Sequence, residues 1–369
     1  MKKILYTINF LTNGGPTRVL ENLVKNLNKD KYDITIMTLI DENDRSIVEK
    51  LRNHDINVLE LNYKKSLKEI LASRKKIIYQ INCCKPDIIH THGIVSTMIV
   101  SSKNIVCKKI TTIHNCLFDD YNYTYGKYKG IFLAYIHIML LRRFNEVICC
   151  SKTSYDSIKK YHSRATYVRN GIDLEKHIKG GKEDTEIRRH IRNQLGIDDG
   201  AIIYIYAGRI SSLKRVNQLV NMFACNMGNN EYLVIAGDGP LREKLQQNVK
   251  DNHIIFIGFK TNIVDYLQAA DVYVSYSSSE GFSISIIEAL ECGLLLLLSD
   301  IPSHRECFNI DSDYYIGEVF SNINFIAKKQ ILSKKAEEVE CKFSVKEFKE
   351  RYLSSLIMTN KYEKFYEVE

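Results

Sequence analysis

Two glutamates, Glu280 and Glu288, lie eight positions apart in the segment SYSSSEGFSISIIEALECG. The polar residues around Gly281 are typical of a loop, whereas SISIIEALECG has the apolar spacing of a helix that ends near Gly293. Glu280 is therefore expected in a loop at the end of a strand, and Glu288 one or two turns into the helix. Carboxylates in these places could accept hydrogen bonds from vicinal sugar hydroxyls. The alternative is that Glu280 caps the helix and Glu288 is solvated.

Backbone N–H groups form a second candidate site, for anions. Those of Phe282, Ser283 and Ile284 are expected near the start of the same helix, where the helix dipole favours phosphate or sugar oxygens. Gly14 and Gly15 follow the first predicted strand, and their backbone could approach an anion in the same way. A tight strand-to-helix turn is the alternative for this pair. The pair does not match G-x-G-x-x-G, so the sequence does not support NAD binding.

The segment GRISSLKR supplies cations at the predicted end of a strand. Arg209 would leave that strand, and Lys214 would lie beside the start of the next helix. An arginine binds a diphosphate through bidentate hydrogen bonds, and a lysine binds it as a point charge. On its own, the segment leaves phosphate binding and a solvated surface both open.

Two histidines, His92 and His114, end predicted strands in the first half of the chain. Such a histidine could bind a polar substrate or transfer a proton, and a core histidine hydrogen-bonded to the backbone is an equal alternative. His90 and His92 lack a third ligand at a suggestive spacing, so no metal site is predicted from them. The DSD segment at 311–313 is interpreted as a turn rather than as a metal-binding aspartate pair.

An alternation of strands and helices must bring these residues together. Apolar strands alternate with amphipathic segments up to ATYVRNGID, and the alternation begins afresh at AIIYIYAGRI. This pattern predicts an α/β protein with two doubly wound, Rossmann-like domains facing across a cleft, with ligands beyond the carboxyl ends of the strands. We predict a first domain at 1–168, a second at 169–345, and a helical segment at 346–369 that crosses back to the first domain.

The charge of the 369-residue chain is unevenly distributed. Residues 1–170 hold 28 Lys/Arg against 15 Asp/Glu, and the remainder holds 24 against 29, which together give the net charge of +8. A basic first half suggests an anionic partner such as nucleic acid, acidic lipid or a phosphorylated substrate, with a solvated Lys-rich surface as the alternative. The run GIFLAYIHIMLL is shorter than the ~20 residues that span a bilayer, so a buried helix is expected, with a surface-inserting helix as the alternative.

The ten cysteines do not form the pattern of a disulfide framework or a zinc site. Cys83-Cys84 and Cys149-Cys150 are adjacent pairs, which cannot easily bridge, and no C-x-x-C spacing is present. The basic, then apolar N-terminus is short and interrupted by polar residues, so a buried first strand is expected rather than a secretion signal. These features predict a reducing, cytoplasmic location.

Taken in order, these segments resemble the retaining glycosyltransferases of the GT-B fold in family 4, also called glycosyltransferases group 1. The spacing of Glu280 and Glu288, together with Arg209 and Lys214, is the most specific part of the likeness. It extends, less specifically, to enzymes of bacterial surface polysaccharide assembly. The matching segments cover nearly the whole chain: NGGPTRVLENLVKNL, PDIIHTHG, TTIHN, VICCSKTSYDSI, VRNGID, AGRISSLKRV, LVIAGDGPLREKL, IIFIGF, AADVYVSYSSSEGFSISIIEALECG and SDIPSHRE.

The resemblance implies roles for the residues of the second domain. Arg209 and Lys214 would neutralise the diphosphate of a nucleotide sugar, which would make a divalent metal unnecessary. Glu288 would hold the ribose hydroxyls, and Glu280 would contact the donor sugar near the reacting carbon. The amides of residues 282–284 would meet sugar and phosphate oxygens, and Phe259 would lie near the nucleobase.

The resemblance also implies roles in the first domain. Gly15 would approach the donor phosphate, Gly14 and His92 would lie on the acceptor side, and His114 would touch the donor sugar. The chain departs from the family at Pro16-Thr17, where Ala-Glu is frequent, and at Leu294, where proline is common. Neither departure removes a charged donor contact.

The prediction is therefore a retaining transferase that moves a hexosyl or N-acetylhexosaminyl group from a nucleoside-diphosphate donor, expected to be a UDP-sugar. The acceptor would be a saccharide or a lipid-diphosphate-linked saccharide in O-antigen or capsule-type biosynthesis, at an anionic membrane surface that the protein meets peripherally. No metal, other cofactor or nucleic acid is expected. The alternatives are a sugar-nucleotide epimerase or hydrolase of the same architecture, and a nucleic-acid binder that uses the basic half, for which no motif is present.

Overall fold

The computed structural model describes residues 1–12, 14–64, 67–173, 182–308, 317–321, 324–325, 327–330, 332 and 354–367. The chain divides into two compact units, one formed by Met1–Asp173 with Ser354–Glu369 and the other by Leu174–Leu353. The domain boundaries predicted from the sequence, after residues 168 and 345, lie slightly earlier along the chain than the boundaries of these units. The DSD segment at 311–313 lies outside the described residues.

The first unit is a parallel sheet with helices between its strands. The strands are β1 (Lys2–Ile8), β2 (Tyr32–Ile40), β3 (Asn57–Tyr63), β4 (Ile88–His92), β5 (Lys108–Ile113), β6 (Glu146–Cys149) and β7 (Ala165–Tyr167). The helices are α1 (Gly15–Asn26), α2 (Val48–Arg52), α3 (Leu67–Ala72), α4 (Arg74–Cys83), α5 (Ile94–Val100), α6 (Leu117–Tyr125), α7 (Lys127–Leu141) and α8 (Lys152–Ile158). The strand order is β3-β2-β1-β4-β5-β6-β7, and the pairings are parallel.

The second unit repeats this plan. Its strands are β8 (Ile202–Ala207), β9 (Glu231–Ala236), β10 (Ile254–Gly258), β11 (Val272–Ser275), β12 (Leu295–Ser299) and β13 (Gly317–Phe320). Its helices are α9 (Lys182–Leu195), α10 (Val216–Asn226), α11 (Arg242–Asn248), α12 (Ile263–Ala269), α13 (Ile284–Glu291) and α14 (Pro302–Phe308). The strand order is β10-β9-β8-β11-β12-β13, again with parallel pairing.

The central strands are buried because helices cover both faces of a parallel sheet. Every residue of β4, β11 and β12 is buried, as are the last five residues of β1 and of β8. Neither sheet alternates apolar and polar residues at its centre. The predicted α/β class with two doubly wound units is confirmed.

The strand order reverses between β1 and β4 in the first sheet, and between β8 and β11 in the second. At such a switch point the loops after the two strands leave toward opposite faces of the sheet, and open α/β sheets bind ligands in the crevice between them. Several of the predicted ligand-binding residues end or follow these four strands: Gly14 and Gly15 after β1, His92 in β4, Arg209 and Lys214 after β8, and Glu280 after β11.

A final helix, α15 (Ser355–Glu367), belongs to the first unit, as predicted. The Tyr366 hydroxyl lies 2.8 Å from the Tyr6 hydroxyl of β1. The Tyr362 hydroxyl lies 3.1 Å from Thr112 Oγ1 of β5, and all four side chains are buried. This helix therefore closes over the sheet through hydrogen bonds as well as apolar contacts.

The stretch SLKEILASRKKIIYQINCC forms two helices, α3 and α4, because the backbone leaves helical geometry at Ser73 (φ −84°, ψ 1°). One helical prediction needs correction, because the run GIFLAYIHIMLL, within α7, is buried on one face only. Ala134 and Leu141 are buried, whereas Phe132 and Met139 are exposed.

Nine of the ten cysteines fall within the described residues, and all nine are free thiols. In the same part of the chain, none of the helices combines the length and apolar character needed to cross a membrane.

Candidate active site

The loops that follow β8 and β11 are held together at the carboxyl edge of the second sheet. The Tyr206 hydroxyl, near the end of β8, donates to the Arg209 carbonyl at 2.9 Å. The Ser278 hydroxyl and backbone N–H both donate to the Leu213 carbonyl, at 2.8 Å and 3.0 Å. The first bond fixes the start of the β8 loop, and the second pair joins that loop to the one carrying Glu280.

Lys214 and Glu280 form an ion pair at this junction. The Lys214 ammonium contacts Glu280 Oε2, and Glu280 Oε1 accepts a 2.7 Å hydrogen bond from the Ser277 hydroxyl. The cap position of α13 is Ser283, which makes no side-chain capping bond. Glu280 therefore lies outside the cap position and joins its own loop to the loop that carries Lys214.

The surroundings of Glu280 favour its ionised form. Burial alone would raise its pKa, but the charge of Lys214 and the hydrogen bonds from Lys214 and Ser277 outweigh burial, so the pKa of Glu280 lies below its ordinary value. An ionised carboxylate and an ammonium are therefore held together at neutral pH. Either can exchange its partner for a charged ligand.

His304, in α14, was not selected from the sequence except as part of SDIPSHRE. Burial lowers the pKa of His304 to about 4, and the nearby charge of Glu280 acts in the opposite direction. His304 Nδ1 donates to the Ser299 carbonyl at 2.9 Å. Its Nε2 is buried and has no hydrogen-bond partner among the described residues, so the neutral ring offers an acceptor in the electrostatic range of Glu280. The feature of the sequence that could have identified His304 is a histidine in the first turns of a helix that follows a buried strand.

Glu288 is the fifth residue of α13 and only 9% exposed, so it is not a solvated helix residue. Burial raises the pKa of Tyr273, and the negative charges of Glu280 and Glu288 raise it further. Tyr273 is the second residue of β11. Its hydroxyl is therefore within electrostatic range of both glutamates. The eight-residue spacing brings the two carboxylates to the same end of this strand.

The remaining predicted residues of the second unit differ in exposure. Phe282 and Ile284 are buried, Ser283 is half-buried at the start of α13, and Phe259 is half-buried directly after β10. Arg209 is exposed and forms no ion pair with any described residue. Of the two predicted diphosphate cations, Lys214 therefore has a partner in this structure and Arg209 does not.

In the first unit, His92 and His114 form a pair. His92 Nδ1 lies 2.8 Å from His114 Nε2, and the stacked rings have centroids 5.0 Å apart. Burial lowers the pKa of His114 to about 4 and also lowers the pKa of His92, so both rings are neutral at neutral pH. His92 Nε2 is buried without a hydrogen-bond partner among the described residues. The sequence identified each histidine, but their pairing depends on β4 lying beside β5.

His90 is hydrogen-bonded within the fold of the first unit. Its Nδ1 lies 2.8 Å from the Tyr366 hydroxyl and its Nε2 lies 2.8 Å from Thr112 Oγ1, so both ring nitrogens are engaged. The part of the chain that the structure describes contains no group of three or more His, Cys, Asp or Glu side chains arranged to hold a metal ion. Tyr366 comes from the other end of the chain, which no local pattern could reveal.

Gly14 and Gly15 are exposed at the start of α1. Gly14 has extended backbone (φ −163°, ψ 170°), which any residue adopts. An added Cβ at Gly14 would lie no closer than 3.7 Å to its nearest described neighbour, and one at Gly15 would have no described neighbour within 4 Å. A tight turn therefore does not explain these glycines, and the space beside them is open.

Comparison with known proteins assigns the two halves of the chain to two family profiles. The profile described as Glycosyltransferase Family 4 matches residues 13–176, and that described as Glycosyl transferases group 1 matches residues 187–340. The O-antigen biosynthesis glycosyltransferase WclY of Escherichia coli is 26% identical over 99% of this chain and 98% of that protein. The UDP-Gal:alpha-D-GlcNAc-diphosphoundecaprenol alpha-1,3-galactosyltransferase of Escherichia coli is 26% identical over 66% of this chain and 65% of that protein.

Solved structures show the same fold. Anabaena Alr3699/HepE in complex with UDP and glucose has a TM-score of 0.82 at 17% identity and covers 100% of both chains. Sucrose-phosphate synthase from Thermosynechococcus elongatus also has a TM-score of 0.82, at 15% identity, over 99% of this chain and 98% of that one.

Proposed function

Because the chain belongs to the glycosyltransferases of family 4 and group 1, we propose that it transfers a sugar from a nucleoside-diphosphate donor with retention of anomeric configuration. The donor is a UDP-sugar, and the acceptor is a saccharide linked to a lipid diphosphate in O-antigen or capsule-type biosynthesis. The observation that carries this proposal is the Lys214–Glu280 ion pair at the switch point of the second sheet, where the loop after β8 also carries Arg209. UDP and UDP-glucose complexes of Anabaena HepE support the choice of nucleotide.

The donor diphosphate would lie against the exposed Arg209 guanidinium and the Lys214 ammonium. Because Lys214 already contacts Glu280, donor binding would add a second anion to the same cation or replace the first. We infer that the pair holds Lys214 in place before the donor arrives. Glu280 then keeps contact with the donor sugar, and Glu288 accepts hydrogen bonds from the ribose.

Chemistry would proceed by departure of the diphosphate, through an oxocarbenium-like state in the sugar. The acceptor hydroxyl would attack from the face that the diphosphate leaves, and the departing phosphate oxygen would take the acceptor proton. Arg209 and Lys214 lower the barrier because they stabilise negative charge that grows on the leaving phosphate. These two cations would balance the negative charge on the leaving phosphate without a metal ion, and transfer is expected to survive a chelator such as EDTA unchanged.

In the first unit, we propose that His114 is a hydrogen-bonding contact for the donor sugar rather than a cation or a strong base. A ring whose pKa is about 4 is neutral at pH 7 and is a weak proton acceptor. His92 would fix the tautomer and orientation of His114 through their 2.8 Å hydrogen bond. The open space beside Gly14 and Gly15 would admit donor phosphate or acceptor atoms close to the backbone of α1.

A panel of sugar nucleotides with lipid-diphosphate-linked acceptors, read by product mass, tests the proposal. The expected result is one sugar added per acceptor, with the α or β configuration of the donor kept in the product. Nucleotide release at full rate without an acceptor, or isomerisation of the donor sugar, would instead favour the hydrolase or epimerase alternative. Glu280→Ala is the negative control for each donor that reacts.

A further inference from the structure

The outer face of α7 exposes an apolar stripe. Tyr128 is 87% exposed, Phe132 65%, and Met139 65%, and Tyr135 is also exposed. At about 100° per residue, these four positions fall within an arc of about 60° on the helix. Single exposed apolar residues are ordinary, but a continuous line of them marks an interaction surface. We call these four residues the α7 stripe.

The opposite face of α7 fixes the direction of the stripe. An added Cβ at Gly130 would lie 2.5 Å from the backbone of residues 121 and 122 in α6, so the two helices are in direct backbone contact there. The side chains that face the unit are all buried: Ala134, His137, Ile138 and Leu141. The helix therefore cannot rotate to hide the stripe without separating from α6.

The charges along α7 and directly after it are all positive. Residues 126–145 contain Lys127, Lys129, Arg142 and Arg143 and no Asp or Glu, and these four cations are exposed. Tyr135 also lies beside Tyr161, with ring centroids 5.9 Å apart, and the Lys160 ammonium sits 4.8 Å from the centroid of the Tyr161 ring. Tyrosines with lysines and arginines at their margin are typical of a membrane–water interface.

We propose that the α7 stripe docks on the surface of an anionic lipid bilayer, with the helix lying in the plane of the headgroups. The helix has 15 residues, too few to span a bilayer, which needs about 20. A second copy of the chain is a poorer occupant, because a symmetric contact along this stripe would bring the same unneutralised cations of both copies together. The inference rests on the proposed function in one respect: a lipid-linked acceptor explains why the protein would dock there.

Tryptophan fluorescence tests the docking directly, because the chain contains no tryptophan. In the Phe132→Trp variant, mixing with vesicles of phosphatidylglycerol and phosphatidylcholine should shift the emission to shorter wavelength, and pure phosphatidylcholine vesicles should shift it far less. Tyr79→Trp is the matched control, since Tyr79 is 70% exposed on α4 outside the stripe, and its emission should not change. Unchanged emission of the Phe132→Trp variant with anionic vesicles at low salt would overturn the proposal.

Two sets of substitutions separate the apolar and charged contributions. The triple variant Tyr128→Ser, Phe132→Ser, Met139→Ser should lose vesicle co-sedimentation about tenfold or more. Replacing Lys129, Arg142 and Arg143 with glutamine should weaken vesicle binding about fivefold per cation removed. Added salt should also weaken vesicle binding of the wild type, because it screens these charges. Unaltered co-sedimentation of the first variant would refute a role for the stripe.

Further readouts distinguish the competing explanations. An emission shift of the Phe132→Trp variant that appears without lipid and grows with protein concentration would assign the stripe to a second copy. The rate of transfer to a water-soluble acceptor analogue should be equal in the wild type and in the Tyr128/Phe132/Met139 variant. Equal rates would show that the active site of the variant is intact. Failure of transfer with every acceptor would refute the proposed function, while vesicle docking is measured independently of it.

Discussion

The carboxyl edges of the two sheets carry different kinds of side chain, which are neutral at the first edge and charged at the second. At the first edge, His90, His92 and His114 are neutral and form hydrogen bonds with one another or with nearby hydroxyls. At the second edge, Lys214 and Glu280 are both charged and form an ion pair. The two units share strand order around the switch point, so this difference arises from the side chains and not from the topology.

The contrast suggests a division of labour between the two edges. A buried, neutral group is costly to charge, so the first edge is suited to uncharged hydroxyl groups. The second edge has an ion pair and, in the loop after β8, an exposed arginine, so it is suited to a diphosphate. The proposed donor and acceptor groups follow this division.

The largest effect is expected from the charged edge. Glu280→Gln should lower the transfer rate about 100-fold, the cost typical of losing one preorganised electrostatic contact to a transition state. Glu318→Gln is the matched control, since Glu318 is also paired with a lysine, Lys328, in the same unit at 2.6 Å. If both variants lose thermal stability equally and neither loses activity, the Lys214–Glu280 pair serves only the fold.

Removing the cation of the same pair should weaken nucleotide binding. Lys214→Met is expected to raise the dissociation constant for UDP about tenfold or more, since a hydrogen bond to a charged group contributes about 1.5–3 kcal/mol. The substitution also removes the main charge that lowers the pKa of Glu280, so the acid limb of the rate profile should move to higher pH. Calorimetry with UDP and a pH–rate profile measure the two effects, and an unmoved acid limb would mean that Glu280 does not control it.

The histidines at the carboxyl edge of the first sheet should make the folded protein less stable in acid. Burial lowers the pKa of His114 from 6.5 to about 4, so the unfolded chain binds more protons than the folded one between these values. Stability is therefore lost as pH falls from about 6.5 toward 4, by up to about 1.4 kcal/mol per pH unit for this histidine. Glu280, whose pKa lies below 4.5, loses its contribution only at lower pH.

His114→Asn tests this assignment, because the amide keeps a hydrogen-bonding group and cannot titrate. Urea unfolding across pH 4–7 should show a shallower pH dependence than the wild type, by about one proton. The same slope in both proteins would show that His114 is not the group responsible.

The smallest effect is expected at the glycines of α1. Gly15→Ala should leave thermal stability almost unchanged, because nothing described lies within 4 Å of the new Cβ, and should weaken substrate use a few-fold by filling the open space. Gly171→Ala is the contrasting variant in the same unit, since its Cβ would lie 2.5 Å from the Ser354 carbonyl oxygen. That variant should destabilise by about 1–3 kcal/mol. Full activity of Gly15→Ala would argue against a close ligand there.

Local patterns predicted the elements well where periodicity was strong. The strand, loop and helix around Glu280 and Glu288 are confirmed, because an apolar run, a glycine and helical spacing are all local signals. The outer face of α7 was predicted wrongly as buried, since an all-apolar run hides which side will contact the unit. The break at Ser73 also carried no sequence signal such as proline or glycine.

Pairings between distant residues could not be predicted in the same way. Lys214 with Glu280, His92 with His114, and His90 with Tyr366 join positions separated by 66, 22 and 276 residues. Their contact depends on which strands become neighbours and where α15 returns. His304 was overlooked for this reason, because its importance comes from its proximity to Glu280.

The sequence alone determined the α/β class, the doubly wound halves and the residue types at the strand ends, because these depend on local periodicity and on chemistry that each side chain carries by itself. The tertiary structure decided which of those groups are charged and with whom they pair. Protonation and pairing depend on burial and on neighbours a few ångströms away, and only the folded chain specifies those distances.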